Sequence, residues 1–168
     1  IPGDAMEAEA IRAAIAATDA RFGRLDILVN NAGGVSARPF LEQSERSWRR
    51  HIDINLVSML AATHAAAPLM IRGGQGGAIL NVASIEAERA APNFAVYAAC
   101  KAGMVSFTKS MAVELSGHGI RVNCIAPDHT VTPGNQGNRA GPVDPAAWVK
   151  HSPEAVDAMN RLIPLGRE

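Results

Sequence analysis

Apolar residues recur at intervals of three and four in three stretches of this chain. Between Asp4 and Phe22, residues Ile11, Ile15, Thr18 and Phe22 share one face, and Gly23 follows as a stop. Between about Ser44 and Met70, residues Trp48, Ile52, Leu56, Met59, Leu60 and Thr63 keep the same spacing. A third, alanine-rich stretch runs from about Asn93 to Ser116 and ends at Gly117. These spacings predict three helices. The segments between them hold short apolar runs, Ile27 to Val29, Ala78 to Ala83 and Ile120 to Ala126, each with the look of a strand buried in a parallel sheet. Helix and strand alternate across short connections, which predicts βαβ units and a parallel sheet covered on both faces. After Pro127 the pattern dissolves. Pro133, Gly134, Gly137, Gly141, Pro142 and Pro145 mark a long irregular stretch before a short helix over about 145–162. There are no repeats and no second domain.

The 168 residues suffice for one buried core, and 48% hydrophobic with 19% charged residues is ordinary for a globular protein. Sixteen basic side chains balance sixteen acidic ones, so nothing points to nucleic acid or an anionic membrane as partner. No apolar run approaches the roughly 20 residues of a membrane helix, and no secretory signal is visible. Cys100 and Cys124 lie far apart in apolar surroundings, which argues for a reducing compartment and a cytoplasmic protein. His51, His64, His118, His129 and His151 have no metal-ligand spacing. The chain starts Ile-Pro without an initiator methionine and is expected to be a piece of a longer protein.

The run Gly73-Gly74-Gln75-Gly76-Gly77 invites a phosphate-loop reading that its context refuses. Such a loop follows a strand and opens a helix, whereas these glycines follow a helix and lead into a strand. Asn30-Asn31-Ala32-Gly33 has better standing, at the carboxyl end of a buried strand where α/β sheets bind ligands. Small residues there admit close approach to backbone, and the amides can tie neighbouring strands together. Tyr97 and Lys101 are four apart on one helix face. A phenol titrates near ~10, and a neighbouring ammonium draws it toward a working range. Tyr97 is the only tyrosine, and Ser84 closes the preceding strand at the same sheet edge, where its hydroxyl can hydrogen-bond a substrate oxygen. Asn55 interrupts an apolar helix stretch; taken alone it reads as a helix polar face or a local backbone hydrogen bond.

Order and spacing together change this picture. Asp26-Ile27-Leu28-Val29, Asn30-Asn31-Ala32-Gly33, Asn55, Ser84, Tyr97-Ala98-Ala99-Cys100-Lys101 and Gly119-Ile120-Arg121-Val122-Asn123 resemble the short-chain dehydrogenase/reductase family from about Asp4 to Thr132. The resemblance implies a doubly wound, Rossmann-like α/β sheet, incomplete at both ends, and NAD or NADP as cofactor. It implies Tyr97 as catalytic acid/base, with Lys101 lowering its pKa and holding the nicotinamide ribose. Ser84 would position the substrate oxygen, and Asn55 would hold a water linking Lys101 to solvent. Asn31, Ala32 and Gly33 would line the cofactor cleft, Asp4 would contact adenine, and Pro127, Thr130 and Thr132 would meet the carboxamide.

Two departures stand out: Asp128 replaces the glycine usual after Pro127, and Cys100 stands where serine is common. The resemblance further implies a homotetramer or homodimer built on the two long helices. Ile85, Glu86, Asn93 and Phe94 are expected to line a pocket for a small carbonyl or alcohol substrate, with 132–162 as a lid over it. A 3-oxoacyl reductase is the leading branch. A catalytically silent, nucleotide-binding regulatory protein is the alternative, disfavoured because serine, tyrosine and lysine are all kept. A dehalogenase branch would carry arginine in place of Lys101, and an enoyl reductase branch would space its tyrosine and lysine more widely.

Overall fold

The computed structural model describes residues 1–128, 130, 152–154 and 156–157. These fall into two units, Ile1–Pro127 and the residues from Asp128 onward. In the first, helix α1 (Ala8–Phe22) leads to strand β1 (Ile27–Asn30), and α2 (Glu45–Ile52) and α3 (Ser58–Gly73) lead to β2 (Gly77–Val82). Helix α4 (Ala95–Glu114) then leads to β3 (Ile120–Ile125). The strands form a parallel sheet in the order β1-β2-β3, with Leu28, Ile79 and Val122 in one row.

That row shows why the helices lie where they do. Ile79 and Val122 are buried against Met70 of α3 and Leu115 beyond α4, with Leu28 and Met111 packed beside them. Ile15 of α1 packs on Ala62 and Ala66 of α3, again against Leu28. Helices α1, α3 and α4 therefore serve the same face. The expectation of a sheet covered on both faces is not met by the described residues: Ile27 is 66% exposed and Val29 53%. The reason is topological. Crossovers that step the same way across a sheet, with the single handedness such connections adopt, fall on one side of it.

Local chemistry sets the element ends. Gly23 and Gly74 close α1 and α3 in the left-handed region. Gly76 is also left-handed, and a Cβ there would stand 2.5 Å from the Gly119 carbonyl, so the glycine run is a helix-to-strand turn. Helix α1 begins later than the spacing predicts. The Asp4 carboxylate accepts from the Met6 N–H at 2.9 Å, forming a turn ahead of it. Phe22, placed with Ile15 on the buried face, is 68% exposed, and the Arg21 guanidinium lies 5.7 Å from its ring centre.

The long second helix is continuous in outline but holds one wide turn, Asp53–Val57, where the Ser58 N–H reaches back five residues to Asp53. Glu45–Gly73 is long and apolar enough to cross a membrane by composition alone, although no run of consecutive apolar residues suggests it. Its Met59, Ala62, Thr63, Ala66 and Met70 are buried in the core. Pro153, Glu154, Val156 and Asp157 have helical backbone. The rest of the expected lid, with Thr132, lies outside the described residues.

Candidate active site

The site grows from the carboxyl edge of the sheet. The β2–β3 ladder continues past β2, with the Ala83 N–H bonding Ile125 O at 2.8 Å and the Ile85 N–H bonding Pro127 O at 3.1 Å. Ser84 is pinned between these two bonds and is 6% exposed. Its Oγ accepts from the Glu86 N–H at 3.4 Å as a one-turn 3₁₀ helix, Ile85–Ala87, begins. Its hydroxyl donates to the Glu86 carboxylate. Arg89 Nη2 donates to the other Glu86 oxygen at 2.9 Å.

Helix α4 brings Tyr97 and Lys101 to this edge. Tyr97 is half-buried, with Ser84 among the groups that act on its titration. Lys101 is 4% exposed; its Nζ donates to Val82 O at 2.7 Å and stands 5.7 Å from the centre of the Tyr97 ring. Burial raises the Tyr97 pKa above its ordinary 10 and the Glu86 charge adds to this, while Ser84 works the other way. Burial lowers the Lys101 pKa from its ordinary 10.5. Lys101 is not among the causes of the Tyr97 shift, of which burial is the largest. Partial burial pushes the Glu86 carboxyl up, but the bonds from Ser84 and Arg89 outweigh it and leave it below the usual range.

The loop after β1 meets the same cluster. A Cβ on Gly33 would lie 2.9 Å from Asn55 Oδ1 and 3.5 Å from Lys101 Nζ, so only glycine fits there without a shift. Asn55, fully buried in the wide turn, grips the neighbouring residue twice: its Oδ1 accepts from the Gly34 N–H at 3.0 Å and its Nδ2 donates to Gly34 O at 2.8 Å. Nδ2 also donates to His51 O at 3.0 Å, and Ser58 Oγ donates to Ile54 O at 2.7 Å, so side chains satisfy carbonyls within the wide turn. The local backbone bond expected of Asn55 is present, together with a long-range clamp that the helix pattern did not disclose.

Structure therefore brings together Gly33, Asn55, Ser84, Tyr97, Lys101 and Pro127. Asn31 and Ala32 are exposed beside Gly33. Asp4, also exposed, precedes α1 at the end of that helix away from its short connection to β1. Thr130 belongs to the second unit, where its Oγ1 donates to Asp128 O at 3.4 Å. Asn93, one of the expected pocket residues, has φ +70° and accepts from the Arg38 N–H through its carbonyl.

Two supports escaped the sequence reading. His51 is buried; its Nε2 accepts from the Ser36 N–H at 3.1 Å, and its Nδ1 lies 2.8 Å from Ser47 O, which defines the Nδ1–H tautomer. Its signal was the spacing, four residues before Asn55 on the same helix face. The second is a polar chain through the core. Asn30 Nδ2 donates to Thr63 Oγ1 at 3.3 Å and to Asn81 Oδ1 at 2.8 Å, and Asn81 Nδ2 donates to Thr108 Oγ1 at 2.8 Å. The amide of Asn30 does tie strand to strand, as expected of the Asn30–Gly33 run, and it enlists α3 and α4 as well.

A parallel sheet with serine, tyrosine and lysine gathered at its carboxyl edge, beside a glycine loop, places the chain in the α/β class, whose ligands commonly bind at that edge. A family profile described as enoyl-(acyl carrier protein) reductase matches residues 1–167. The 3β-hydroxysteroid dehydrogenase 1 of Eggerthella lenta is 37% identical over 166 residues, covering 99% of this chain and 59% of that relative. The D-threitol dehydrogenase of Mycolicibacterium smegmatis is 38% identical over 164 residues, covering 98% of this chain and 58% of that relative. A crystal structure of gluconate 5-dehydrogenase from Burkholderia cenocepacia, in complex with NADP and tartrate, superposes with a TM-score of 0.80 at 33% identity. That match covers 98% of this chain and 60% of the other. The chain belongs to the short-chain dehydrogenase/reductase family, and it spans roughly half the length of the curated relatives it matches.

Proposed function

We propose that the protein carrying this chain is an NAD(P)-dependent oxidoreductase that interconverts a secondary alcohol and its carbonyl, with Tyr97 handling the proton on oxygen. The observation that carries this reading is the convergence of Ser84, Tyr97 and Lys101 at the carboxyl edge of the sheet, with Lys101 Nζ 5.7 Å from the Tyr97 ring. The residues present fit a nicotinamide cofactor. Gly33 has no Cβ where one would crowd Asn55 and Lys101, and Asn31 and Ala32 leave backbone and amide groups open to a ligand. When bound, the cofactor supplies or accepts the hydride.

The chain's own residues do the rest. Ser84 hydrogen-bonds the substrate oxygen. Tyr97 gives that oxygen a proton in reduction and takes one in oxidation. Lys101 stabilises the phenolate by its charge and holds the ribose, and Asn55 fixes the loop that backs Lys101. Asp4, Pro127, Thr130 and Thr132 remain proposed cofactor contacts. The substrate class is a small alcohol or carbonyl, of which a 3-oxoacyl compound is one member. The four-residue step from Tyr97 to Lys101 favours carbonyl over enoyl reduction. The unpaired thiols of Cys100 and Cys124 support a cytoplasmic setting.

Nicotinamide absorbance tests the reading in the full-length protein against a panel of polyols, steroid alcohols and 3-oxoacyl thioesters. Tyr97→Phe is expected to retain cofactor affinity and lose about 10²–10⁴-fold in turnover. A variant within twofold of wild type would remove Tyr97 from its role.

A further inference from the structure

Ser84 is needed at the substrate oxygen, yet in the structure its one proton points elsewhere. The hydroxyl donates to Glu86 Oε2, and Oγ in turn accepts from the Glu86 N–H at 3.4 Å. Glu86 is ionised at neutral pH, so this carboxylate oxygen can only accept. A substrate carbonyl can only accept as well. Ser84 cannot serve both at once, and its proton must leave Glu86 when it turns to the substrate.

At that moment Oε2 gives up the Ser84 donor, while Arg89 Nη2 stays on Oε1 at 2.9 Å. The Glu86 side chain is 21% exposed, so water reaches it only in part. A substrate that brings its own donor therefore binds better than one that does not. Reach fixes where that donor sits. Two O–H···O contacts of about 2.7 Å, meeting at Ser84 Oγ, leave Oε2 at most about 5.4 Å from the reacting oxygen. A hydroxyl on the carbon next to the reacting one has its oxygen beside the reacting oxygen, and its O–H spans the remaining gap. Charge fixes the kind of donor. Glu86 is already paired with Arg89, which leaves no net charge for a cation to neutralise, so a neutral hydroxyl suits the site better than an ammonium.

We propose that Glu86 is a specificity-determining residue, and that the substrate is a vicinal diol in oxidation and the matching α-hydroxy ketone in reduction. The inference rests on the reading of Ser84 and Tyr97 as an alcohol–carbonyl site. On binding, the Ser84 hydroxyl turns from Glu86 Oε2 to the reacting oxygen, and the neighbouring substrate hydroxyl donates to Oε2 in its place. This exchange moves hydrogen bonds only, and the redox step of the proposed function is unchanged. A 3-oxoacyl compound offers a second acceptor instead of a donor and would leave Oε2 without a replacement.

Propan-2-ol, propane-1,2-diol and 1-aminopropan-2-ol differ only in the group on the carbon beside the carbinol, and kcat/KM of the full-length enzyme is compared across them. A hydrogen bond to a charged group is worth roughly tenfold to a hundredfold, so wild type is expected to favour the diol over propan-2-ol by at least about tenfold. The amino alcohol should fall below the diol. In Glu86→Ala the ratio of diol to propan-2-ol should drop to within about threefold of one. Glu86→Gln, which keeps the size and removes the charge, should lower it as well. Each ratio is taken within one protein, so the fraction folded cancels. An enzyme that oxidises alcohols of the panel without this preference, one that prefers the amino alcohol, or a ratio unchanged in both variants overturns the proposal and leaves Ser84 and Tyr97 in place. A wild-type protein that oxidises no alcohol on the panel overturns the functional reading itself.

Discussion

Lys101 carries an ammonium that is 4% exposed and hydrogen-bonded to the Val82 carbonyl. Its pKa in the folded protein lies below the ordinary 10.5, so over the interval between the two values the unfolded chain binds more protons than the native one. Stability then rises with pH across that window and levels off above 10.5. Tyr97 has the opposite sign: its raised pKa contributes stability that is lost as pH climbs past 10. A comparison of wild type with Lys101→Met removes the lysine contribution and leaves the tyrosine in both proteins. Thermal unfolding should therefore show the wild type gaining on Lys101→Met as pH rises toward 10.5. A gap that stays constant would mean that the ammonium is not desolvated. The site keeps a costly charge where the proposed chemistry would use it, and stability and activity are commonly opposed at such places.

At the level of elements, the chain Thr63–Asn30–Asn81–Thr108 joins α3, β1, β2 and α4 through side chains that are all under 9% exposed. Asn81→Leu keeps the volume but leaves Asn30 and Thr108 each short of a buried partner. The expected loss is about 2–3 kcal/mol, read as a fall in the urea midpoint. A loss below about 0.5 kcal/mol would show that the amides find other partners. This network was half legible in the sequence. Asn30 drew notice because it ends a strand, whereas Asn81 sits inside an apolar run where a polar letter looks incidental.

The helices were legible because burial on one side leaves a period of three and four, and Tyr97 with Lys101 because that period sets them on one face. That one sheet face lacks cover among the described residues was not legible, since three consecutive apolar residues look the same with one face covered or two. Glu86 was read as pocket lining. Its bond to Ser84 depends on the 3₁₀ turn, which leaves no periodic signature.

Across the whole molecule, two apolar surfaces have no cover among the described residues. One is the sheet face bearing Ile27, Val29 and Ile125. The other is a groove of about 370 Å³ between α2 and α4, lined by Phe40, Ile52, Leu56, Val96, Ala99 and Cys100. Patches of this kind commonly mark interaction surfaces. A homodimer or homotetramer joined along the two long helices would cover the groove. Light scattering of the full-length protein should report such an assembly, and Ala99→Glu should shift the mass toward monomer with helical content unchanged. A monodisperse wild-type monomer at micromolar concentration would rule it out.

The wide turn at Asp53–Val57 also bears on how such a site is lost. Each residue of a helix advances the azimuth by about 100°. His51 and Asn55 clamp the loop from one azimuth, while Met59, Thr63 and Ala66 enter the core from another, and the extra residue in the turn reconciles the two. Removing a single residue, Ile54 for example, would rewind the segment to an ordinary helix and swing the clamp away from Gly34 while the core face stayed put. No point substitution restores that phase. A deletion in 53–57 would therefore remove the clamp as surely as replacing Asn55 itself, whose side chain makes both bonds to Gly34.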